Sequence, residues 1–130
     1  MILLDTQIIV WLNQEQEKLS KAALDAIAGA RLEGTGLAIS DFTLWEFAML
    51  ATRKRISLQV PLSASLHELC SFYTVLPITA SIAETSMTFS ANFPNDPADR
   101  VIAATALIHH APLITADKSI RASGEVPCIW

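Results

Sequence analysis

Short apolar runs alternate with longer amphipathic stretches along the chain. The apolar runs predict four buried strands and a last edge strand, at residues 2–4, 37–39, 74–78, 113–115 and 126–130. Between them, apolar positions spaced by three and four predict helices at about 20–32, 41–53, 63–73, 79–91 and 97–110. Strands that alternate with helices predict an α/β sandwich with a mainly parallel sheet.

Composition and charge narrow the class of protein. The chain has 130 residues, of which 52% are hydrophobic and 17% charged, as expected for one globular domain with an apolar core. No apolar run is long enough to span a membrane, and Asp5 interrupts the first one, which therefore predicts a strand and not a signal peptide. The two cysteines, Cys70 and Cys128, fit neither a disulfide framework nor a zinc site, so a cytoplasmic protein is expected. The net charge of −4 argues against a broad nucleic-acid surface, but it allows a narrow site in which a metal ion supplies positive charge.

Two acidic residues follow predicted strands. Asp5 comes directly after the first strand, and Asp117 comes shortly after the fourth. In parallel sheets the carboxyl ends of the strands share one edge, where ligands collect. An Asp after a strand also commonly caps the next helix, and for either residue alone the cap is the favoured interpretation.

Two further acids lie on predicted helices. An apolar stripe on the helix, formed by Phe42, Trp45, Met49 and Leu50, is expected to pack inward. Glu46 falls within this stripe, where an unpaired carboxylate is costly. The alternatives are an ion pair or a position at the edge of the stripe. Asp99 precedes a small apolar face in the first turn of its helix, where it could instead belong to a capping box with Asp96. If the four acids converge, a divalent cation with hard oxygen ligands, Mg²⁺ or Mn²⁺, is the expected remedy for their repulsion.

Four segments of the chain together form a recognisable pattern. They are Leu4-Asp5-Thr6, Ser40 with Leu44-Trp45-Glu46, Asp96-Pro97-Ala98-Asp99-Arg100 leading into Ile102-Ala103-Ala104-Thr105-Ala106, and Leu113-Ile114-Thr115-Ala116-Asp117. In this order and at these spacings, the chain resembles the PIN-domain nucleases, specifically the VapC-like toxins of type II toxin–antitoxin pairs, from residue 1 to residue 130.

The resemblance implies a fold, a reaction and partners. It implies a single PIN-like domain over residues 1–130, built as a three-layer α/β/α sandwich. It also implies that a set of acids binds one or two Mg²⁺ or Mn²⁺ ions and activates the water that cuts RNA: Asp5, Glu46, Asp99 and Asp117. Accessory polar groups would orient ligands or waters: Thr6, Ser40, Asp96 and Thr115. For Asp96, helix capping is a sufficient explanation. The resemblance further implies a homodimer and an antitoxin whose basic tail covers the acidic pocket.

Several cations are open to two interpretations. Arg53, Lys54 and Arg55 either bind RNA phosphates beside the site or form a solvated helix end. Arg100 either grips RNA or pairs with one of the acids.

Two rival functions differ from a nuclease. One is a catalytically idle PIN-like scaffold that binds RNA or protein, which the presence of all four acids disfavours. The other is a metal-dependent phosphatase of another α/β family. The common aspartyl-phosphate kind uses a second carboxylate after the first strand, which the sequence Asp5-Thr6-Gln7 lacks.

Overall fold

The structure, a computed structural model, describes residues 1–130. Five strands are formed: β1 (Ile2–Leu4), β2 (Leu37–Ser40), β3 (Thr74–Leu76), β4 (Leu113–Ile114) and β5 (Cys128–Ile129). Seven α-helices accompany them: α1 (Thr6–Gln14), α2 (Lys21–Glu33), α3 (Asp41–Thr52), α4 (Leu62–Phe72), α5 (Ala80–Thr85), α6 (Pro97–Ile108) and α7 (Lys118–Ser123). A short 3-10 helix spans Gln16–Lys18. None of the helices combines the length and the apolar character that a membrane crossing requires.

The five strands form one sheet in the order β3-β2-β1-β4-β5, and every neighbouring pair is parallel. This confirms the predicted parallel α/β architecture. Strand order reverses at β1, because the chain moves outward from β1 to β2 and β3 and then returns to place β4 on the other side of β1. The carboxyl ends of β1 and β4 therefore lie next to each other at a switch point, which is where open α/β sheets bind ligands.

The pleat of the strands divides the core into two layers. Leu3 pairs in register with Ala38 and Leu113, and these three side chains pack on one face of the sheet with helix α6 and Ile120 of α7. The next position on each strand points to the opposite face, where Leu4 and Ile114 pack with α1 to α4. Helices thus cover both faces, which confirms the three-layer α/β/α arrangement.

Several predicted boundaries need correction. The helix expected over residues 79–91 ends at Thr85, and turns carry the chain from there to Phe93. The third strand ends at Leu76, since Pro77 follows and lacks an N–H for the ladder. Strands β4 and β5 are also shorter than expected. Conversely, the periodicity did not indicate α1, whose three consecutive β-branched residues Ile8, Ile9 and Val10 are typical of strands.

Candidate active site

An open pocket of about 450 Å³ lies at the carboxyl ends of β1 and β4. Its lining includes all four of the predicted catalytic acids and two of the predicted accessory residues: Asp5, Glu46, Asp99, Asp117, Thr6 and Asp96. Strands β1 and β4 bring Asp5 and Asp117 to this edge, and helices α3 and α6 contribute Glu46 and Asp99. The convergence that the topology predicted is therefore present.

Asp5 is fixed by the strand end on which it stands. It is buried, with 9% of its surface exposed, and its two carboxylate oxygens accept hydrogen bonds from the Thr6 amide at 2.8 Å and the Thr115 hydroxyl at 2.7 Å. Burial raises the pKa of Asp5 above its usual value, and these two hydrogen bonds only partly offset that effect. The acid therefore needs a positive partner to remain charged at low cost.

Asp117 is held in the same way at the end of β4. Its Oδ1 accepts hydrogen bonds from the amides of Ser119 and Ile120, at 2.8 and 2.9 Å, so it is the N-cap of α7. Its own amide donates to the Thr115 hydroxyl oxygen at 3.1 Å. Thr115 thus connects Asp5 and Asp117 through one hydroxyl group. Capping and pocket lining turn out to be compatible roles for both strand-end acids.

Glu46 reaches the pocket from α3. Its Oε1 accepts a hydrogen bond from the Thr6 hydroxyl at 2.5 Å, and Thr6 Oγ1 lies 3.1 Å from the hydroxyl oxygen of Thr43. Because Thr6 directs its one hydroxyl proton at Glu46, Thr43 is the donor in the second contact. Burial raises the pKa of Glu46, the Thr6 hydroxyl lowers it, and the charges of Asp5 and Asp96 raise it again. Sequence reasoning missed Thr43, which is fully buried; its only signal is its position three residues before Glu46.

Asp99 lies in the first turn of α6 and is half-buried. Burial raises its pKa, and the charges of Asp5, Asp96, Asp117 and Glu46 raise it further, to about 7. No hydrogen bond or cation counteracts this shift. The mutual repulsion shows that these five carboxylates share one electrostatic environment.

Two accessory residues act mainly as helix caps. Asp96 is the N-cap of α6 and accepts a hydrogen bond from the Ala98 amide at 2.8 Å, and it also lines the pocket. Ser40 is fully buried, caps α3 through the Phe42 amide at 3.1 Å, and does not line the pocket. The structure supports a structural role for Ser40 and both roles for Asp96.

No lysine or arginine forms an ion pair with an acid of the site. The two ion pairs in the chain, Lys18–Glu15 and Lys21–Asp25, involve none of them. Arg100 donates instead to the loop before α6. A basic run at the end of α3 is exposed to solvent: Arg53, Lys54 and Arg55.

The predicted burial of the α3 stripe is wrong in part. The helix buries Thr43 and Phe47, whereas Trp45 is 59% exposed, with its ring tilted against that of Phe42 at a centroid distance of 5.7 Å. Phe42 is half-buried, and Glu46 lies between the buried and exposed faces. The stripe is therefore divided between the protein interior and an exposed apolar surface.

The chemistry of the acids fits a hard divalent cation. No three acidic, histidine or cysteine side chains are arranged as a complete metal site. The donor set is nevertheless carboxylate oxygen throughout, and Asp99 has nothing that stabilises its charge. A divalent ion would remove the repulsion that raises the Asp99 pKa, and Mg²⁺ and Mn²⁺ prefer such oxygen ligands.

Comparison with known proteins places the chain in a family. The sequence model of the PIN domain family matches residues 2–125. The chain is 38% identical over 120 residues to Ribonuclease VapC22 of Mycobacterium tuberculosis, covering 92% of this chain and 89% of that protein.

Solved structures show the same fold. A toxin–antitoxin complex from Klebsiella pneumoniae contains a chain that is 25% identical, with a TM-score of 0.66 and coverage of 97% of this chain and 95% of that one. In VapBC2 from Rickettsia felis, bound to a DNA fragment from its promoter, the matching chain is 17% identical, with a TM-score of 0.71 and coverage of 98% and 97%. The extent of the family match and the close relative lead to one conclusion: the chain belongs to the PIN domain family.

Proposed function

We propose that this protein is a metal-dependent endoribonuclease and the toxin of a toxin–antitoxin pair, with residues 1–130 forming one nuclease domain. The observation that carries the proposal is the pocket in which five carboxylates, those of the four predicted acids and Asp96, meet without a paired cation. The ribonuclease relative and the toxin–antitoxin structures support it. Such a cluster of unpaired charges destabilises the metal-free protein. A bound cation would neutralise it and is also what hydrolysis of an RNA phosphodiester requires.

The site residues divide the work between them. Asp5, Glu46, Asp99 and Asp117 would hold Mg²⁺ or Mn²⁺, which when bound supplies a nucleophilic water at neutral pH and offsets phosphate charge. Thr115 orients the carboxylate of Asp5, and Thr6 orients that of Glu46. Deprotonated Asp99 completes the negative charge of the pocket, and burial and the neighbouring carboxylates raise its pKa to about 7.

The proposal is tested with labelled structured RNAs, incubated with Mg²⁺, Mn²⁺ or chelator. The parent chain should cleave only with metal, and Asp5→Asn should not cleave under any condition. Glu33→Gln, an exposed acid far from the pocket residues in the fold, is the matched control and should cleave at the parent rate. A folded parent that neither cleaves RNA nor binds Mn²⁺ would favour the idle scaffold. Rapid hydrolysis of a chromogenic phosphate ester would favour the phosphatase.

We also propose that Arg53, with Lys54 and Arg55 beside it, binds RNA phosphates. Glu46, Leu50 and Arg53 are spaced by four and three residues, so they share one face of α3, and Leu50 lines the acidic pocket. Seven residues of helix correspond to about 10 Å, close enough for Arg53 to contact a phosphate near the one being cut. Arg53 also ends the helix, so both interpretations of the basic run remain compatible with its position.

Two partners are part of the proposal, within a cytoplasmic setting. An antitoxin with a basic tail is complementary to a pocket lined by carboxylates.

A second copy of the chain is proposed to cover the exposed apolar surface formed by Phe42, Trp45 and Ile78. Sedimentation should show a dimer for the parent and a monomer for Trp45→Glu. A parent that is monomeric, with Trp45 fluorescence quenched by RNA, would assign this surface to base stacking instead.

A further inference from the structure

We propose that Arg100 is a positioning residue for the acidic site, acting through the backbone of the loop at residues 93–96; this inference rests on the proposed function. Arg100 follows Asp99 on α6, and its guanidinium group turns away from the carboxylates toward that loop. Its Nε donates to the Pro94 carbonyl at 2.9 Å, and its Nη2 donates to the Phe93 carbonyl and to Asn95 Oδ1, both at 3.4 Å.

The loop that Arg100 holds leads directly into the site. Phe93 is 2% exposed, stacks on Phe89 with centroids 4.2 Å apart, and lies under the Arg100 guanidinium at 5.8 Å. Pro94 restricts the backbone further. The loop is thus fixed at Phe93 by packing and from Phe93 to Asn95 by Arg100. The next residue is Asp96, which caps α6 and so sets the start of the helix that carries Asp99.

The two interpretations that the sequence left open fit the geometry less well. Arg100 forms no ion pair with a site acid, and it is absent from the groups that shift the pKa of Asp99. A guanidinium has five N–H donors, and the loop uses the Nε proton and both Nη2 protons. Two Nη1 protons remain, so three of the five donors of this side chain serve the loop.

Two variants of Arg100 distinguish the contribution of its planar set of N–H donors from that of its positive charge. Arg100→Lys keeps the charge but loses the fork that bonds two carbonyls at once, whereas Arg100→Gln loses both. We expect amide exchange at Asn95, Asp96 and Ala98 of the metal-free protein to become about tenfold faster in both variants. We expect the Mn²⁺ concentration for half-maximal binding to rise about 10- to 100-fold in both. Lys21→Met removes an exposed cation of α2, outside the pocket lining, and is the matched control, with parent values expected in both assays.

Salt dependence tests the alternative that Arg100 contacts RNA. The slope of log affinity against log salt, measured on RNA with chelator present, should be the same for the parent and both variants. A lysine variant with parent Mn²⁺ affinity, or a slope lowered by about 0.7 in the glutamine variant, would overturn the positioning role. So would fast exchange with unchanged Mn²⁺ binding, or unchanged exchange in both variants. A parent that binds no Mn²⁺ at all would instead overturn the proposed function, and the role of Arg100 with it. Asn95→Ala removes the acceptor of one of the three hydrogen bonds that Arg100 donates. It should raise the amide exchange rate and weaken Mn²⁺ binding, each by less than the Arg100 variants do.

Discussion

The strand ends and the helix faces supply the acidic pocket in different ways. Asp5 and Asp117 stand at the ends of β1 and β4, and backbone amides and the Thr115 hydroxyl hold their carboxylates. Asp99 comes from the first turn of α6 and has no donor that lowers its pKa. Glu46 is intermediate, because it comes from a helix but is tied to the β1 end through Thr6.

This difference shows which carboxylates of the site are charged without interactions that stabilise the charge. A strand end followed by a helix provides capping bonds for an acid, so the same interactions that build the fold also stabilise the charge. A carboxylate on a packed helix face has no such bonds and is exposed to the field of the others. Asp99 therefore carries the repulsion of the whole cluster, and replacing it should have effects on activity and stability of opposite sign.

The largest expected effect is that of Asp99→Asn on cleavage. We expect a loss of about a thousandfold or more, since one metal-binding charge contributes several kcal/mol and each ~1.4 kcal/mol is a factor of ten. The metal-free variant should melt about 3–5 °C higher than the parent at pH 8, because it lacks one of the mutually repelling charges. The gain in the free energy of unfolding is limited to roughly 1 kcal/mol, since water screens a half-buried carboxylate. Scanning calorimetry in chelator compares the melting temperatures of the parent, Asp99→Asn and Asp5→Asn. A larger gain for Asp5→Asn would contradict the contrast between strand end and helix face.

The pH dependence of metal binding is the next largest effect. The pKa of Asp99 in the metal-free protein is about 7, so a cation must displace a proton from it below that pH. Mn²⁺ affinity should therefore fall by roughly fivefold from pH 7 to pH 6, and by closer to tenfold per pH unit below that. Stability has the opposite sign: the raised pKa favours folding when Asp99 is protonated, so the metal-free protein should lose stability as pH rises from about 4 through about 7. Titration calorimetry at pH 6, 7 and 8 measures the first trend. Asp99→Asn should bind weakly and with a smaller pH dependence than the parent in that range.

The same contrast explains what sequence reasoning could and could not predict. Helix α2 and the start of α6 were predictable because Ser20 and Pro97 mark their first turns and their apolar positions keep one period. Helix α1 was not, because Ile8 to Val10 favour strands locally and become helical through burial against the sheet. The strand-end acids follow from topology alone, since adjacent parallel strands end at one edge.

The remaining parts of the site depend on side-chain directions that the sequence does not encode locally. The exposure of Trp45 was mispredicted because periodicity identifies an apolar face but does not show what covers it. The turn of Arg100 toward the loop depends on where three acceptors lie in the folded chain. Thr43 was missed since a lone buried threonine on a helix has no distinctive pattern.

Thr115→Val tests how much the strand-end connection contributes. The variant keeps the shape of the side chain but removes the donor to Asp5 and the acceptor for the Asp117 amide. We expect Mn²⁺ affinity and cleavage to fall by about 10- to 100-fold, as for other groups that orient metal ligands. Thr115→Ser should restore most of the parent behaviour. Thr105→Val, at another fully buried threonine whose hydroxyl bonds only to the Val101 carbonyl, is the matched control and should leave Mn²⁺ affinity unchanged.

Thr43→Val is expected to have the smallest effect and probes the intermediate case, Glu46. Removing the Thr43 hydroxyl leaves Thr6 without its donor, so the Thr6 hydroxyl gains rotational freedom and holds Glu46 less firmly. One net hydrogen bond corresponds to about 0.5–1.5 kcal/mol, so cleavage should fall by roughly 3- to 10-fold, with Thr43→Ser near the parent rate. If Glu46 were instead fixed by the packing of α3 alone, both variants would cleave like the parent. Glu46 would then belong with Asp99, as a carboxylate held in the pocket by its helix and not by the strand end.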